Sequence, residues 1–213
     1  TQVSRPAFYA ASALLLLAPE VPLIFMGQEW AAPEPFLFFT DHNAELGRLV
    51  TEGRRKEFMH FDAFADEARR ESIPDPQADS TFLASKLDWS KRVEPEHAAC
   101  LIWYQRLLRI RKYLVANTTF RGGRPLNDHV IVLEWEGAKG RLVAVVALEG
   151  PVEVGDSEWR QMEVSVSSED PLYIADPEPA AWEAENGKLK FKRPGAVLLA
   201  SGDLISEWGS QSA

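Results

Sequence analysis

The 213-residue chain sets 23 Lys and Arg against 32 Asp and Glu, a formal net charge of -9. That balance repels phosphate backbones and anionic membrane surfaces, so neither nucleic acid nor membrane is an expected partner. At 46% hydrophobic and 26% charged residues the composition is that of a globular protein with chain enough to bury a core. The single cysteine, Cys100, excludes an intrachain disulfide and a cysteine-based zinc site; it suits a reducing cytoplasm.

Residues 6–18 are Ala- and Leu-rich and predict a helix, with Ser4 as N-cap, Pro6 in the first turn and Pro19 as its stop. Residues 21–26 form a short apolar run bounded by prolines and Gly27, the pattern of a strand buried on both faces in a parallel sheet. Pro19, Glu20 and Pro22 interrupt the apolar stretch well short of the roughly 20 residues that span a bilayer. The N-terminus does not read as a signal peptide. Residues 28–43 are aromatic and proline-rich, residues 45–61 predict a charged helix that Gly53 weakens, and residues 73–80 are a Pro- and Asp-rich loop. That helix offers Leu46, Leu49, Val50, Phe58 and Phe61 as apolar contacts.

The clearest helix covers residues 96–115. Leu101, Tyr104, Leu107, Leu108 and Leu114 recur at helical spacing, with Gln105, Arg106, Arg109 and Lys112 opposite. From residue 118 the pattern turns to short strands: 130–135, 142–148, 162–166, 172–174, 189–191 and 197–199. Gly122-Gly123 reads as a turn, and Glu185-Asn186-Gly187-Lys188 as a hairpin turn. The expected architecture is an α/β fragment over residues 1–117, followed by a small all-β antiparallel sandwich domain over residues 118–213. One strand cannot close a barrel. If residues 21–26 belong to a (β/α)8 barrel, its other strands precede Thr1 or lie on another chain.

A glycosidase needs two carboxylates flanking the scissile bond. The candidates are Glu29, Asp41, Glu45, Asp62, Asp75 and Asp88. Only Glu29 falls where a barrel enzyme places such groups, just past the C-terminal end of a parallel strand. With 32 acidic residues in the chain, chance pairs abound. The four histidines, His42, His60, His97 and His129, lack metal-ligand spacing, so no metal is expected; His42, beside Asp41, is the one placed near a ligand. Trp30, Phe36, Phe38 and Phe39 can stack on sugar rings or anchor their loop, and the sequence favours neither. Arg54, Arg55 and Lys56 read as partners of Glu52 and Glu57. Cys100 lies in an apolar run and reads as a small buried hydrophobe.

The segments Pro22-Leu23-Ile24-Phe25-Met26-Gly27-Gln28-Glu29-Trp30 and Pro35-Phe36-Leu37-Phe38-Phe39-Thr40-Asp41-His42 resemble the region after the eighth barrel strand of malto-oligosyltrehalose trehalohydrolases. Glu45-Leu46-Gly47, Glu52-Gly53-Arg54-Arg55-Lys56-Glu57-Phe58, Pro74-Asp75-Pro76, Thr81-Phe82 and Ser85-Lys86-Leu87-Asp88-Trp89 extend the resemblance in order. Gln28 departs from it, since the family commonly shows a second glutamate there. The resemblance implies the C-terminal part of an α-amylase-type retaining glycoside hydrolase. The whole enzyme would cleave the α-1,4 bond next to the terminal trehalose of malto-oligosyltrehalose and release trehalose, using an Asp nucleophile, a Glu acid/base and a second Asp. All three positions would precede Thr1, so no catalytic residue, no cofactor and no metal is expected in this chain, and the chain alone is expected to be inactive. Glu29, Trp30, Asp41 and His42 are the residues expected to face malto-oligosaccharide. A non-catalytic carbohydrate-binding or assembly module, or the tail of a branching or debranching enzyme, is the alternative.

Overall fold

The structure, a computed structural model, describes residues 3–58 and 73–204. His60, Phe61 and Asp62, and with them the expected end of the second helix, lie outside these residues. Helices α1 (Arg5–Leu17), α2 (Ala44–Phe58), α3 (Asp79–Ser85) and α4 (Pro95–Asn117) precede strands β1 (Thr118–Asn127), β2 (Val130–Gly137), β3 (Gly140–Ala147), β4 (Val152–Gly155), β5 (Glu163–Ser167), β6 (Ala181–Glu183), β7 (Lys188–Phe191) and β8 (Gly195–Ala200). The chain forms two compact units, one of Thr1–Ala31 with Arg92–Ala213 and one of Ala32–Lys91.

In the first unit an antiparallel sheet of order β1-β2-β3-β8-β5 is faced by a second sheet of order β4-β7-β6. Strand side chains alternate between faces, and here both faces are covered. Leu142, Ala144, Val146, Ala196, Leu198 and Ala200 pack with α1 and α4, while Val143, Val145, Val197 and Leu199 meet Leu189, Phe191 and Trp159 on the other side. The unbroken apolar run of β3 follows from that double burial.

Helix α4 buries Cys100, Trp103, Tyr104, Leu107, Ile110 and Leu114, which are one face at a period of 3.6. Leu108, expected to point inward, is 40% exposed; Trp103 and Ile110 hold the inner face instead. Helix α1 carries no basic residue in its last turn, and its Ser4 N-cap side chain makes no capping bond. Its C-terminal end is served from α4, where the Arg111 guanidinium donates to the carbonyls of Leu16, Ala18, Pro19 and Glu20. A cation there answers the negative end of the helix dipole.

Within this chain three segments differ from their local expectations. Residues 21–26 take no place in either sheet: their composition suits a strand, but a strand exists only where a neighbour completes its ladder. Gly122 and Gly123 lie inside β1, where the register slips between Phe120 and Gly122; the glycines accommodate a bulge rather than a chain reversal. Residues 172–174 form a turn, with the Tyr173 and Ile174 amides both donating to the Asp170 carbonyl. Their apolar character serves the core directly, since Tyr173 and Ile174 are buried in it. The hairpin at Asn186-Gly187 is present: Glu183 pairs with Lys188, and Gly187 takes φ +62°.

The second unit holds α2, α3 and the irregular chain before and between them. On α2 Arg54 pairs with Glu57, as expected of its basic run, whereas Glu52 is taken by Arg48 one turn earlier. Gly47, Pro76, Thr81 and Ser85 are its buried residues among those described.

Candidate functional site

The first unit carries the tight turn that follows the apolar run. Gly27 at φ 82° enters a single 3-10 turn, Gln28–Trp30, and Ala31 at φ 53° leaves it. A left-handed alanine is costly and persists only where its surroundings fix it. Gln28 supplies much of that fixing. Its Oε1 accepts from the Phe25 amide at 3.1 Å and its Nε2 donates to the Tyr104 hydroxyl at 2.9 Å. Ser12 Oγ donates to the Phe8 carbonyl at 2.8 Å, so its 2.8 Å bond with Tyr104 is donated by the phenol. The chain of donors therefore runs one way, from Gln28 through Tyr104 and Ser12 to Phe8.

Trp30 is 1% exposed and its carbonyl accepts from His97 Nδ1 at 2.8 Å. Glu29, between these two anchored residues, is half-buried. Nearby, burial pushes the Cys100 thiol up to about 12, which leaves it protonated and unreactive.

The second unit carries Asp41 and His42, both exposed. The chain leading to them is irregular, and the segment 75–85 supplies partners for several of its polar groups. The Leu37 amide donates to Ser85 Oγ at 2.9 Å, and the Thr40 amide to the Pro76 carbonyl at 2.9 Å. The side-chain amide of Gln77 then takes both sides of Asp41. Its Oε1 accepts from the His42 amide at 3.0 Å, and its Nε2 donates to the Thr40 carbonyl at 3.2 Å and to the Thr40 hydroxyl. Asp75 Oδ1 accepts from the Gln77 amide at 3.0 Å and from Thr51 Oγ1 at 2.7 Å. Those bonds hold the Asp75 carboxyl below its usual range.

The aromatic residues of this loop differ in exposure and in what they touch. Phe39 is half-buried and meets Phe36 and Phe82 edge-on, with centroids 5.8 and 5.2 Å away. Phe36 is 58% and Phe38 48% exposed, and the Arg54 guanidinium lies 5.0 Å from the Phe38 ring centre.

A general acid at neutral pH needs a raised carboxyl pKa. Among the described residues, every carboxylate with a resolved shift moves down. Glu34 is lowered first by its hydrogen bond from Lys91, and Asp88 by those from Ser90; Glu153 and Glu183 are lowered by bonds from Lys188 and Lys190. In each case a neighbouring donor favours the ionised form. Among the described residues no cluster of His, Cys, Asp and Glu could hold a metal ion, and no helix is long and apolar enough to cross a membrane.

The sequence reading did not single out Gln77 or the bonding role of Tyr104. The one signal available was Gly47, a glycine inside a helix. A Cβ there would stand 2.8 Å from Gln77 Oε1 and 2.9 Å from its Cδ and Cγ, so the glycine marks the close approach of that amide.

No sequence-family profile matches the chain. Curated relatives named malto-oligosyltrehalose trehalohydrolase do. The Deinococcus radiodurans protein is 54% identical over 104 residues, 49% of this chain and 16% of the relative. The Arthrobacter ramosus protein is 40% identical over 56% of this chain and 20% of the relative, and the Saccharolobus solfataricus protein 35% identical over 52% and 17%. The matched stretch is thus about half of this chain and no more than a fifth of any of these relatives. In fold, a Salmonella typhimurium chain assigned as an alpha amylase superposes on 92% of this chain and 30% of its own length, with TM-score 0.63 and 27% identity. Isomaltulose synthase from Klebsiella sp. LX3 covers 92% of this chain and 38% of its own, with TM-score 0.55; at 14% identity that likeness is of fold alone. The chain is a sequence relative of malto-oligosyltrehalose trehalohydrolases, and it shares its fold with enzymes of the α-amylase type.

Proposed function

We propose that the chain is the C-terminal part of a retaining glycoside hydrolase that cleaves the α-1,4 bond next to the terminal trehalose of malto-oligosyltrehalose, releasing trehalose. The observation that carries this reading is the run 21–26. Val21 is 93% exposed, Leu23 84%, Phe25 48% and Met26 47%, and the run joins neither sheet. Each large apolar side chain left in water forgoes about 1.5–3 kcal/mol of burial. A run of this kind is stable once flanked by parallel strands and covered on both faces, as the last strand of a (β/α)8 barrel is. The relatives, several times longer than the stretch they share with this chain, are long enough to supply such strands.

In this reading residues 1–117 complete the barrel and residues 118–213 form the C-terminal domain. Of the four residues expected to face the malto-oligosaccharide, Glu29, Asp41 and His42 keep that role; Trp30, 1% exposed, is assigned instead to anchoring the turn that carries Glu29. Cleavage requires two carboxylates roughly 5 Å apart, one of them protonated at neutral pH. In this reading the bond-breaking groups belong to the remainder of the longer protein, and the chain alone is inactive. That protein would work in the cytoplasm.

The test is trehalose release from a short malto-oligosyltrehalose. The longer gene product is expected to release trehalose, and the 213-residue chain at high concentration to release none. Release by the chain alone would locate the catalytic pair within it. Branched or debranched glucan without trehalose, from the longer protein, would assign it to a different α-amylase-type reaction.

A further inference from the structure

We infer that Gln77 is a positioning residue, whose side-chain amide sets the direction in which Asp41 is presented to the sugar; this rests on the functional reading above. The peptide units on both sides of Asp41 are held by one amide group. Gln77 accepts from the residue-42 N–H and donates to the residue-40 carbonyl and hydroxyl. Asp41 itself lies in no helix or strand, so no regular ladder fixes its backbone. With both neighbouring peptide planes fixed, the direction of its Cα–Cβ bond is fixed as well.

The amide is in turn fixed at its base and along its stem. Asp75 Oδ1 accepts from its backbone N–H, Thr51 on α2 donates to the same oxygen, and Thr81 Oγ1 on α3 donates to the Asp75 carbonyl at 2.6 Å. Gly47 supplies the space along which the stem lies. The arrangement requires a group that donates from one atom and accepts at the other while carrying no charge. Glutamate accepts at both and would set a carboxylate oxygen against the Thr40 carbonyl. Oligosaccharide hydroxyls bind through hydrogen bonds that demand fixed geometry, and a carboxylate misplaced by about 1 Å loses up to ~100-fold in rate.

The experiment is a double-mutant cycle in the longer protein, reading kcat/KM for malto-oligosyltrehalose. Gln77→Ala and Gln77→Glu are each expected to lower kcat/KM about 10- to 100-fold. The double variant Gln77→Ala/Asp41→Asn is expected to be no worse than Asp41→Asn alone, because a positioning residue has nothing left to position. Gly47→Ala separates placement from folding. It adds a better helix former to α2 and pushes the amide aside, so kcat/KM should fall while Tm holds or rises. Additive losses in the double variant, or full activity in Gly47→Ala with the His42 amide no longer protected from hydrogen exchange, overturn the inference. A wild-type protein that releases no trehalose overturns the functional reading and this inference together; release with additive variants overturns this inference alone.

Discussion

The two compact units hold their chains in opposite ways. The unit of Thr1–Ala31 with Arg92–Ala213 is fixed by burial, with Tyr9, Leu17, Trp103, Leu107, Leu142 and Leu198 at 0% exposure. In Ala32–Lys91, Pro76 is the one apolar side chain buried among the described residues, beside the hydroxyl-bearing Thr81 and Ser85. That unit is organised by side chains bonding to backbone: Ser85 to residue 37, Gln77 to residues 40 and 42, Asp75 to residue 77. Apolar burial resists change through bulk and is not directional. Hydrogen bonds from a few polar side chains carry little net stability, about 0.5–1.5 kcal/mol each, but fix direction. A region that orients ligand-facing groups is well served by the second scheme, and a scaffold by the first.

The contrast is sharpest where a large aromatic is removed from each. Trp103→Ala should cost about 3–5 kcal/mol, measured by urea denaturation of the chain, because the ring is fully buried against Tyr9 and Tyr173 and its indole N–H donates to the Tyr9 carbonyl. Phe36→Ala, at a side chain 58% exposed, should cost about 0.5 kcal/mol or less. Equal losses would erase the distinction. A middle effect is expected at Gln28→Glu. A carboxylate cannot donate to Tyr104, so the phenol must turn toward it and the one-way chain through Ser12 breaks. The cost should be about 1–3 kcal/mol, and Ser12→Ala should lessen the added penalty. The smallest effect concerns pH. Asp75 has a carboxyl pKa lowered from 3.8 by bonds from Gln77 and Thr51. Its folded pKa lies below its unfolded one, so its contribution is present above about pH 4 and is lost as pH falls through the lower folded value. Asp75→Asn, which keeps the acceptor oxygen, should flatten that acid-side loss, seen as a smaller drop in Tm between pH 5 and pH 3 (order-of-magnitude window).

What was legible in the sequence followed the same division. The helices α1 and α4, and the strands β2, β3, β7 and β8, announce themselves because burial imposes a period on residue type, and their observed limits lie close to the expected ones. The sandwich of two antiparallel sheets could be read for the same reason. Pairing is less visible. Residues 21–26 have a strand's composition, yet nothing in a single segment states which neighbour completes it. At 172–174 the apolar residues mark burial of Tyr173 and Ile174 without marking extension. Least legible was the polar bracing. One glutamine in a Pro- and Asp-rich loop has no periodicity, and its partners at residues 40 and 42 are 37 and 35 positions away. The departure at Gln28 was visible as a letter; only Tyr104, 76 positions along, gives it a bonding role.

The arginine that closes α1 sets an order of events during synthesis. Helix α1 ends on carbonyls held by Arg111, more than 90 residues further along; Trp135 donates to the Leu17 carbonyl, and Tyr9 to that of Tyr173. A chain emerging from the ribosome at about 5–20 residues per second exposes the Ala- and Leu-rich helix many seconds before any of these partners exist. Within this chain the helix therefore gains the last of these partners, Tyr173, more than 150 residues after its own start, so its bonds here close only after most of the β strands have been made.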